Sequence, residues 1–141
     1  MSITKQVLVI RTKYPDGKGG FFKPRTGKLI AQGAHASLKV LLDLMSAWRD
    51  TDAVTRALTV ESGSAIQDWL DGSFTKICVS VDSEEELLEI YEKAKKALVP
   101  CALIQDSGRT EFHGVPTKTV VAVGPAWSDE IDLITGGLPL L

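Results

Sequence analysis

The sequence contains few of the residues that cross-link a chain or hold a metal. Among its 141 residues are two cysteines and two histidines. Cys78 and Cys101 stand far apart in apolar runs, so we expect buried free thiols instead of a disulfide framework or a zinc cluster. Two histidines, without thiol and carboxylate partners at metal-ligand spacing, do not indicate a catalytic metal. We therefore expect a protein that uses no metal and no other cofactor.

Long apolar runs are also missing. None approaches the roughly 18 to 20 residues that cross a bilayer, and residues 1–6 lack the basic-then-apolar layout of a secretory signal. We therefore expect a cytoplasmic protein that does not contact a membrane. With 44% hydrophobic and 24% charged residues, the composition excludes disordered and fibrous classes. At this length we expect one domain over residues 1–141 that needs no cross-links to form its core.

Basic residues are concentrated at the beginning of the chain. Residues 1–40 contain eight lysines or arginines and one acidic residue, although the whole chain carries a net charge of -2. A local positive field of this kind favours a phosphate-rich partner. The alternative is a solvated face whose acidic partners come from elsewhere in the fold.

Short apolar runs alternate with stretches of helical periodicity. Strands are predicted at residues 6–10, 74–81, 101–104 and 117–123, and helices at 28–45, 64–70, 83–98 and 128–134. Residues 46–62 fit either a helix or irregular structure. Strands joined through helices run parallel, whereas the short connection before the last strand requires an antiparallel pair. The prediction is an α/β protein: a three-layer α/β/α sandwich with a mixed four-stranded sheet whose last strand is antiparallel.

Several local signals refine this outline. In the first helix, an apolar row falls on one side: Ile30, Ala34, Leu38, Leu41 and Met45. Ser83 and Glu86 form a capping box at the start of the third helix, and Ser128 is expected to cap the fourth. Gly124-Pro125 is expected to end the last strand. Residues 13–27, rich in glycine, proline and basic side chains, predict one long loop of the kind that often carries function.

Two polar patterns are candidates for a site. Lys28, Gln32, His35 and Lys39 share an arc of about 60° on the first helix, which faces either solvent or a cleft. Asp106 to Thr110 follows the third strand, at the edge of the sheet where ligands collect in open α/β folds. The alternative for this segment is an Asx turn, in which Asp106 binds its own backbone two residues on. His113 is expected on the surface.

Five runs in this order resemble the archaeal and eukaryotic type of peptidyl-tRNA hydrolase, the type 2 family: VLVIRT (7–12), GKLIAQGAHASL (27–38), SEEELLEIYEKAKKA (83–97), LIQDSGRT (103–110) and TVVAVGP (119–125). The resemblance implies metal-free hydrolysis of the ester that joins a peptide to tRNA, with peptidyl-tRNA as partner, and also a homodimer. It implies a reaction centre of Lys28, Asp106 and Thr110. Around this centre it places further substrate-binding residues: Gln32, His35, Arg109 and either Thr117 or Thr119.

The chain departs from the family pattern before the first helix. The family has a short K-G-K loop there, whereas this loop is extended and Thr26 stands at the first lysine position. Lys13, Lys23 and Arg25 are therefore the candidates for contact with tRNA phosphates. Gly33 replaces the usual cysteine, which argues against thiol chemistry.

Ester hydrolysis needs an oriented or activated water and a donor for the developing oxyanion. We expect Asp106 to act on the water, directly or through Thr110, and Lys28 to stabilise the oxyanion. Whether Asp106 is a base or an orienting group stays open. Two other classes also remain: an RNA-binding module that does not cleave, and an enzyme acting on a different ester or a small anion.

Overall fold

The computed structural model describes residues 3–109 and 112–141, and this part of the chain forms eight strands and four helices. The strands are β1 (Thr4–Arg11), β2 (Tyr14–Pro15), β3 (Phe21–Phe22), β4 (Ser46–Arg49), β5 (Val54–Ala57), β6 (Lys76–Val81), β7 (Cys101–Asp106) and β8 (Thr117–Trp127). The helices are α1 (Thr26–Leu44), α2 (Ala65–Asp71), α3 (Glu84–Lys96) and α4 (Ser128–Thr135). Among these described helices, none has the length and apolarity needed to span a membrane.

Four strands form the central sheet in the order β6-β1-β8-β7. β1 runs parallel to β6, while β8 lies between β1 and β7 and runs antiparallel to both. This confirms the predicted mixed sheet with an antiparallel last strand. The remaining strands pair as two separate hairpins, β2 with β3 and β4 with β5.

Helices cover both faces of the sheet. Because side chains alternate along a strand, Val7 and Val9 of β1 face α3 and α4, whereas Leu8 and Ile10 face α1. The first face packs against Leu87, Ile90 and Ala94 of α3 and Ile131 and Ile134 of α4. On the second face, Leu29, Ala36 and Val40 of α1 pack against β1, β7 and β8. The predicted α/β/α layering is confirmed.

The prediction of which side of α1 is buried was wrong. The helix turns Leu29, Gln32, Gly33, Ala36 and Val40 toward the sheet. Small residues on this face allow close approach, since Gly33 lies directly over β1. The predicted apolar row instead borders solvent: Ile30 is 68% exposed and Leu38 is 55% exposed. All of this row except Met45 lines a surface groove, which we call the α1 groove.

Other boundaries also differ from the prediction. The segment 13–27 contains the β2-β3 hairpin and the first residues of α1, and residues 46–62 contain the β4-β5 hairpin. Strand β8 continues through Gly124-Pro125 to Trp127, because β1 shifts register between Lys5 and Val7 and so accommodates the irregular segment opposite. Cys101 is half-buried, and Cys78 is exposed because it belongs to edge strand β6 and lines the α1 groove, so its predicted burial was wrong.

The helix starts follow local hydrogen bonding. At α3, the Ser83 hydroxyl accepts from the Glu86 N–H at 3.1 Å, as the capping box predicts. The Glu86 carboxylate accepts from the Asp82 N–H instead of the Ser83 N–H. Ser128 is the first residue of α4 and not its cap, because the extended residue at the N-cap position is Trp127.

Candidate active site

The start of α1 and the end of β7 bring a lysine and an aspartate together. Lys28 lies in the first turn of α1, and Asp106 is the last residue of β7. The Lys28 Nζ lies 2.8 Å from the Asp106 Oδ2 and donates a hydrogen bond to it. The two side chains are only 14% and 12% exposed, which leaves the pair reachable from solvent but largely shielded from it. Shielding of this degree strengthens the interaction between charges.

A buried glutamine and a buried threonine position this aspartate through hydrogen bonds. The Gln32 Nε2 donates to the Asp106 Oδ2 at 2.7 Å, and the Thr119 hydroxyl of β8 donates to the Gln32 Oε1 at 2.6 Å. Gln32 is 3% exposed and Thr119 is 1% exposed. Because Thr119 satisfies the amide oxygen, the amide nitrogen of Gln32 faces the carboxylate. The chain of bonds therefore fixes Asp106 relative to both α1 and β8.

The second carboxylate oxygen of Asp106 closes a turn. Its Oδ1 accepts from the Gly108 N–H at 2.7 Å, which is the predicted Asx turn. The Asx turn and the site are compatible, because Oδ1 accepts from Gly108 while Oδ2 accepts from Lys28 and Gln32. Gly108 adopts a φ of +84°, a conformation that favours glycine.

These contacts set the charge state of Asp106. Burial raises the pKa of its carboxyl, but hydrogen bonds from Lys28 and the Gly108 N–H, the Lys28 charge and the Gln32 amide together outweigh burial. The pKa of Asp106 consequently lies below its ordinary value, and the group is ionised near neutral pH. A carboxylate with a lowered pKa is a weaker base than an ordinary one, which favours orientation of a water over removal of its proton.

Aromatic rings flank the ion pair. The Lys28 Nζ lies 5.6 Å from the Phe112 ring centroid, and the Tyr14 ring lies 4.6 Å from that of Phe112. The Arg11 guanidinium lies over the Tyr14 ring at 4.3 Å. Burial, opposed by Arg11 and reinforced by Asp106, raises the pKa of Tyr14 well above its ordinary value, so this hydroxyl stays protonated. Sequence reasoning missed Arg11, Tyr14 and Phe112, because single residues near loops carry no periodic signal.

With this geometry established, comparison with known proteins identifies the family. The family model described as peptidyl-tRNA hydrolase PTH2 matches residues 4–141. The chain belongs to the peptidyl-tRNA hydrolase PTH2 family.

Archaeal relatives match this member of the PTH2 family along nearly its whole length. A peptidyl-tRNA hydrolase of Methanocaldococcus jannaschii is 36% identical, over 97% of this chain and 99% of the relative. The corresponding protein of Methanopyrus kandleri is 39% identical, over 97% of each chain. One from Halobacterium salinarum is 40% identical, over 96% of this chain and 98% of the relative.

A solved structure shares the fold alone. It is a protein of unknown function from Agrobacterium tumefaciens strain C58, with a TM-score of 0.53 and 12% sequence identity. The match covers 100% of this PTH2 chain and 99% of the other.

The predicted site residues of this PTH2 chain fall into two groups. Lys28, Gln32, Asp106 and Thr119 form one connected set. Thr117 pairs with Asp106 between β8 and β7, but its hydroxyl donates to the Val115 carbonyl oxygen, so Thr119 is the threonine that joins the network.

The other predicted residues lie around this set. His35, on the exposed side of α1, and Arg109 and Lys13 are exposed. Lys23 lines the α1 groove, and Arg25 is the N-cap residue of α1. Their contact with substrate stays a prediction. Thr110 lies outside the residues that the structure describes, and its role is supported by the resemblance alone.

Gly108→Ala is expected to lower activity by about 10²-fold, because misplacing a catalytic group by roughly 1 Å has that effect. A Cβ at Gly108 would lie 2.2 Å from the Val115 carbonyl oxygen, so the turn that orients Asp106 would have to move. The measurement is kcat/KM for ester cleavage. Gly114→Ala is the matched control, because Gly114 also has a positive φ but a Cβ there meets nothing within 4 Å. Equal losses of kcat/KM in Gly108→Ala and Gly114→Ala would show that backbone strain, and not displacement of the Asp106 turn, lowers the activity.

Proposed function

We propose that Lys28 and Asp106 carry the hydrolysis of peptidyl-tRNA in this chain. As a PTH2 family member it is a peptidyl-tRNA hydrolase, which cleaves the ester between peptide and tRNA and releases both. The observation that supports the residue assignment is the 2.8 Å contact between the Lys28 ammonium and the Asp106 carboxylate. A positive charge and a group that can bind water are thus close enough together to act on one ester.

Lys28 stabilises the negative charge that develops on the ester carbonyl oxygen. A positioned ammonium in a shielded site interacts more strongly with that charge than water does. The N-terminus of α1 adds to the effect, since its first turn contains no acidic residue and its N-cap makes no side-chain capping bond. The positive end of this helix is therefore not neutralised by side chains of its own first turn.

Asp106 orients the attacking water. Its carboxylate accepts the bonds from Lys28, Gln32 and Gly108, and a carboxylate has about four lone-pair positions, so it can accept a further bond from water. The water oxygen attacks the carbonyl carbon, the bond to the tRNA 3′ oxygen breaks, and a proton from the water ends on that leaving oxygen. Thr110 is proposed to assist this transfer, on the resemblance alone.

Basic residues before α1 are proposed to bind the tRNA backbone. Lys13, Lys23 and Arg25 are exposed and belong to the segment that leads into the helix bearing Lys28. Phosphate contacts of this kind release counterions and make binding salt-dependent. We propose Gln32 and Thr119 as positioning residues, His35, Arg109 and Thr117 as peripheral contacts, and the cytoplasm as the place of action.

Incubation of the purified chain with an N-acetylated aminoacyl-tRNA tests the function. We expect release of the N-acetylated amino acid together with intact tRNA. An RNA-binding module would instead protect the ester from spontaneous hydrolysis. An enzyme for a different ester would cleave a small ester, and uncharged tRNA would not inhibit it. We expect instead that uncharged tRNA competes with the charged tRNA and inhibits its cleavage.

We further propose that two copies of the chain pair through the α1 groove. This groove, about 690 Å³ in volume, is lined by the exposed apolar row of α1 together with Trp69 of α2 and Phe74. Contiguous exposed apolar patches mark interaction sites. A second copy fits because a helical row at spacings of three and four can pack against its own symmetry mate about a two-fold axis.

Leu38→Lys is expected to convert the dimer to a monomer, because burying an unpaired ammonium in an apolar interface is costly. Sedimentation at several protein concentrations measures the change. Leu133→Lys is the control, because Leu133 of α4 is 87% exposed and lies away from the groove. A wild-type chain that sediments as a monomer at all concentrations would contradict the pairing.

A further inference from the structure

Three aromatic rings form a cluster that the hydrolytic mechanism does not use. Tyr14 and Phe22 face each other across the β2-β3 hairpin, with ring centroids 5.8 Å apart. Phe112, which follows β7 in sequence, lies 4.6 Å from Tyr14 and 6.2 Å from Phe22. Tyr14 and Phe112 are buried and Phe22 is half-buried. The extended segment before α1 therefore contributes aromatic surface as well as positive charge.

A cavity opens against these rings, which we call the aromatic pocket. It has a volume of about 300 Å³, and its apolar lining comprises Tyr14, Pro15, Phe22, Phe112 and Val115. This volume equals roughly ten molecules of liquid water, which suits one large side chain and not a folded peptide. Among the described residues of its lining, the ionisable side chains besides Tyr14 are the Arg11 guanidinium, the Asp16 carboxylate and the His113 imidazole, so the guanidinium has a carboxylate to offset it. The pocket thus favours an uncharged group over a phosphate.

The aromatic pocket adjoins the reactive pair. Phe112 contributes to the pocket and also lies 5.6 Å from the Lys28 Nζ. Thr117 lines the pocket and pairs with Asp106 in the sheet. An ester carbonyl held at Lys28 carries the side chain of its amino acid only two bonds from the carbonyl carbon. That side chain is therefore near enough to enter a pocket beside the scissile bond, and it is the one group at this distance that is apolar in many amino acids.

We propose that the aromatic pocket receives the side chain of the amino acid esterified to tRNA, and that it favours large apolar and aromatic residues. This proposal rests on the proposed function, because it places the ester at Lys28 and Asp106. Apolar contact with Phe22 and Phe112 is stronger for phenylalanine or leucine than for glycine. An apolar pocket separates substrates that differ by a few methylene groups by roughly tenfold to 10²-fold.

The test uses a single tRNA charged with N-acetylated phenylalanine, leucine, alanine or glycine. We expect the wild-type kcat/KM for the phenylalanine and leucine esters to exceed that for the glycine ester by roughly tenfold or more. Phe22→Ala should lower kcat/KM for the phenylalanine and leucine esters far more than for the glycine ester, which has no side chain for the pocket to hold, and so should remove most of this preference. Phe22→Leu keeps apolar volume and should retain part of the preference, and thermal unfolding of both variants checks that they are folded.

Phe21→Ala is the matched control, because Phe21 is the next residue on the same strand but points to the opposite face and is 61% exposed. It should leave the preference intact. Equal loss by Phe22→Ala on all four substrates would indicate stacking on the terminal adenine, which every substrate shares, and would overturn the proposal. A wild-type enzyme indifferent to the side chain would also overturn it. Failure of the wild type to cleave any ester would instead refute the hydrolase function on which the proposal rests.

Discussion

Asp106→Asn is expected to lower kcat/KM for ester cleavage on the order of 10²- to 10⁴-fold, the contribution typical of a group that acts on the reacting water. The carboxylate accepts on both of its oxygens, from Lys28 and Gln32 on one and from Gly108 on the other. An asparagine amide has one acceptor oxygen and one donor nitrogen. Whichever way it is turned, its nitrogen faces another donor, so both the orientation of the water and the local structure suffer.

The same substitution is expected to destabilise the fold by about 1–3 kcal/mol, the cost of a shielded polar group without a partner. Because folding lowers the pKa of Asp106, the carboxylate contributes stability above its ordinary pKa and loses it as the pH falls through the lowered value. The difference in unfolding free energy between wild type and variant should therefore be full at neutral pH and shrink below about pH 4. Denaturant unfolding over a pH series measures it.

Asp43→Asn is the control for Asp106→Asn. Asp43 also pairs with a lysine, at 2.6 Å from the Lys39 Nζ, but both of those side chains are about half exposed. Exposed pairs contribute little, so this variant should keep wild-type activity and stability. If Asp106→Asn retained wild-type kcat/KM, water orientation by Asp106 would be refuted, whatever happened to stability.

The convergence of α1 and β7 could be predicted from the sequence, because each element carries its own signal. A change to helical spacing at Lys28 and an apolar strand ending near Asp106 placed both groups at element ends. The periodicity of α1 could not show which of its faces meets the sheet. Gly33 and Ala36 face the strands because they are small, whereas the larger Ile30 and Leu38 are left outside. An apolar row on a helix indicates that this side contacts another apolar surface, but it does not show whether that surface is the sheet.

Contacts between segments that are far apart in the sequence could not be predicted. The shared arc of Lys28, Gln32 and His35 was predicted, but spacing alone could not separate the buried Gln32 from the exposed His35. Gln32 faces the sheet, where Thr119 of β8 donates to its amide oxygen. The residue spacing of α1 carries no information about this partner on a distant strand. Tyr14 and Phe112 come together from segments almost a hundred residues apart, and no local rule relates them.

Lys28→Ala is expected to reduce kcat by about 10²- to 10³-fold, equivalent to about 3–4 kcal/mol of lost transition-state stabilisation. The expected loss follows from the proposed role of Lys28, because the substitution removes the ammonium that would stabilise the oxyanion. Asp106 keeps its hydrogen bonds from Gln32 and Gly108 in this variant, so the fold should be affected less than the rate. Single-turnover cleavage of a saturating N-acetylated aminoacyl-tRNA measures the rate separately from binding.

Lys39→Ala is the control for Lys28→Ala, because Lys39 lies on the same helix and its side chain is 48% exposed. Removal of a lysine that only binds phosphate would raise KM and reduce the salt dependence of binding, while leaving the rate at saturating substrate unchanged. A fall in the saturated rate with little change in KM is what distinguishes oxyanion stabilisation.

The double variant Lys28→Ala/Asp106→Asn tests whether the two groups act as one unit. If they do, its rate should be little lower than that of the more damaging single variant. Multiplicative losses of rate would show that the two groups act independently.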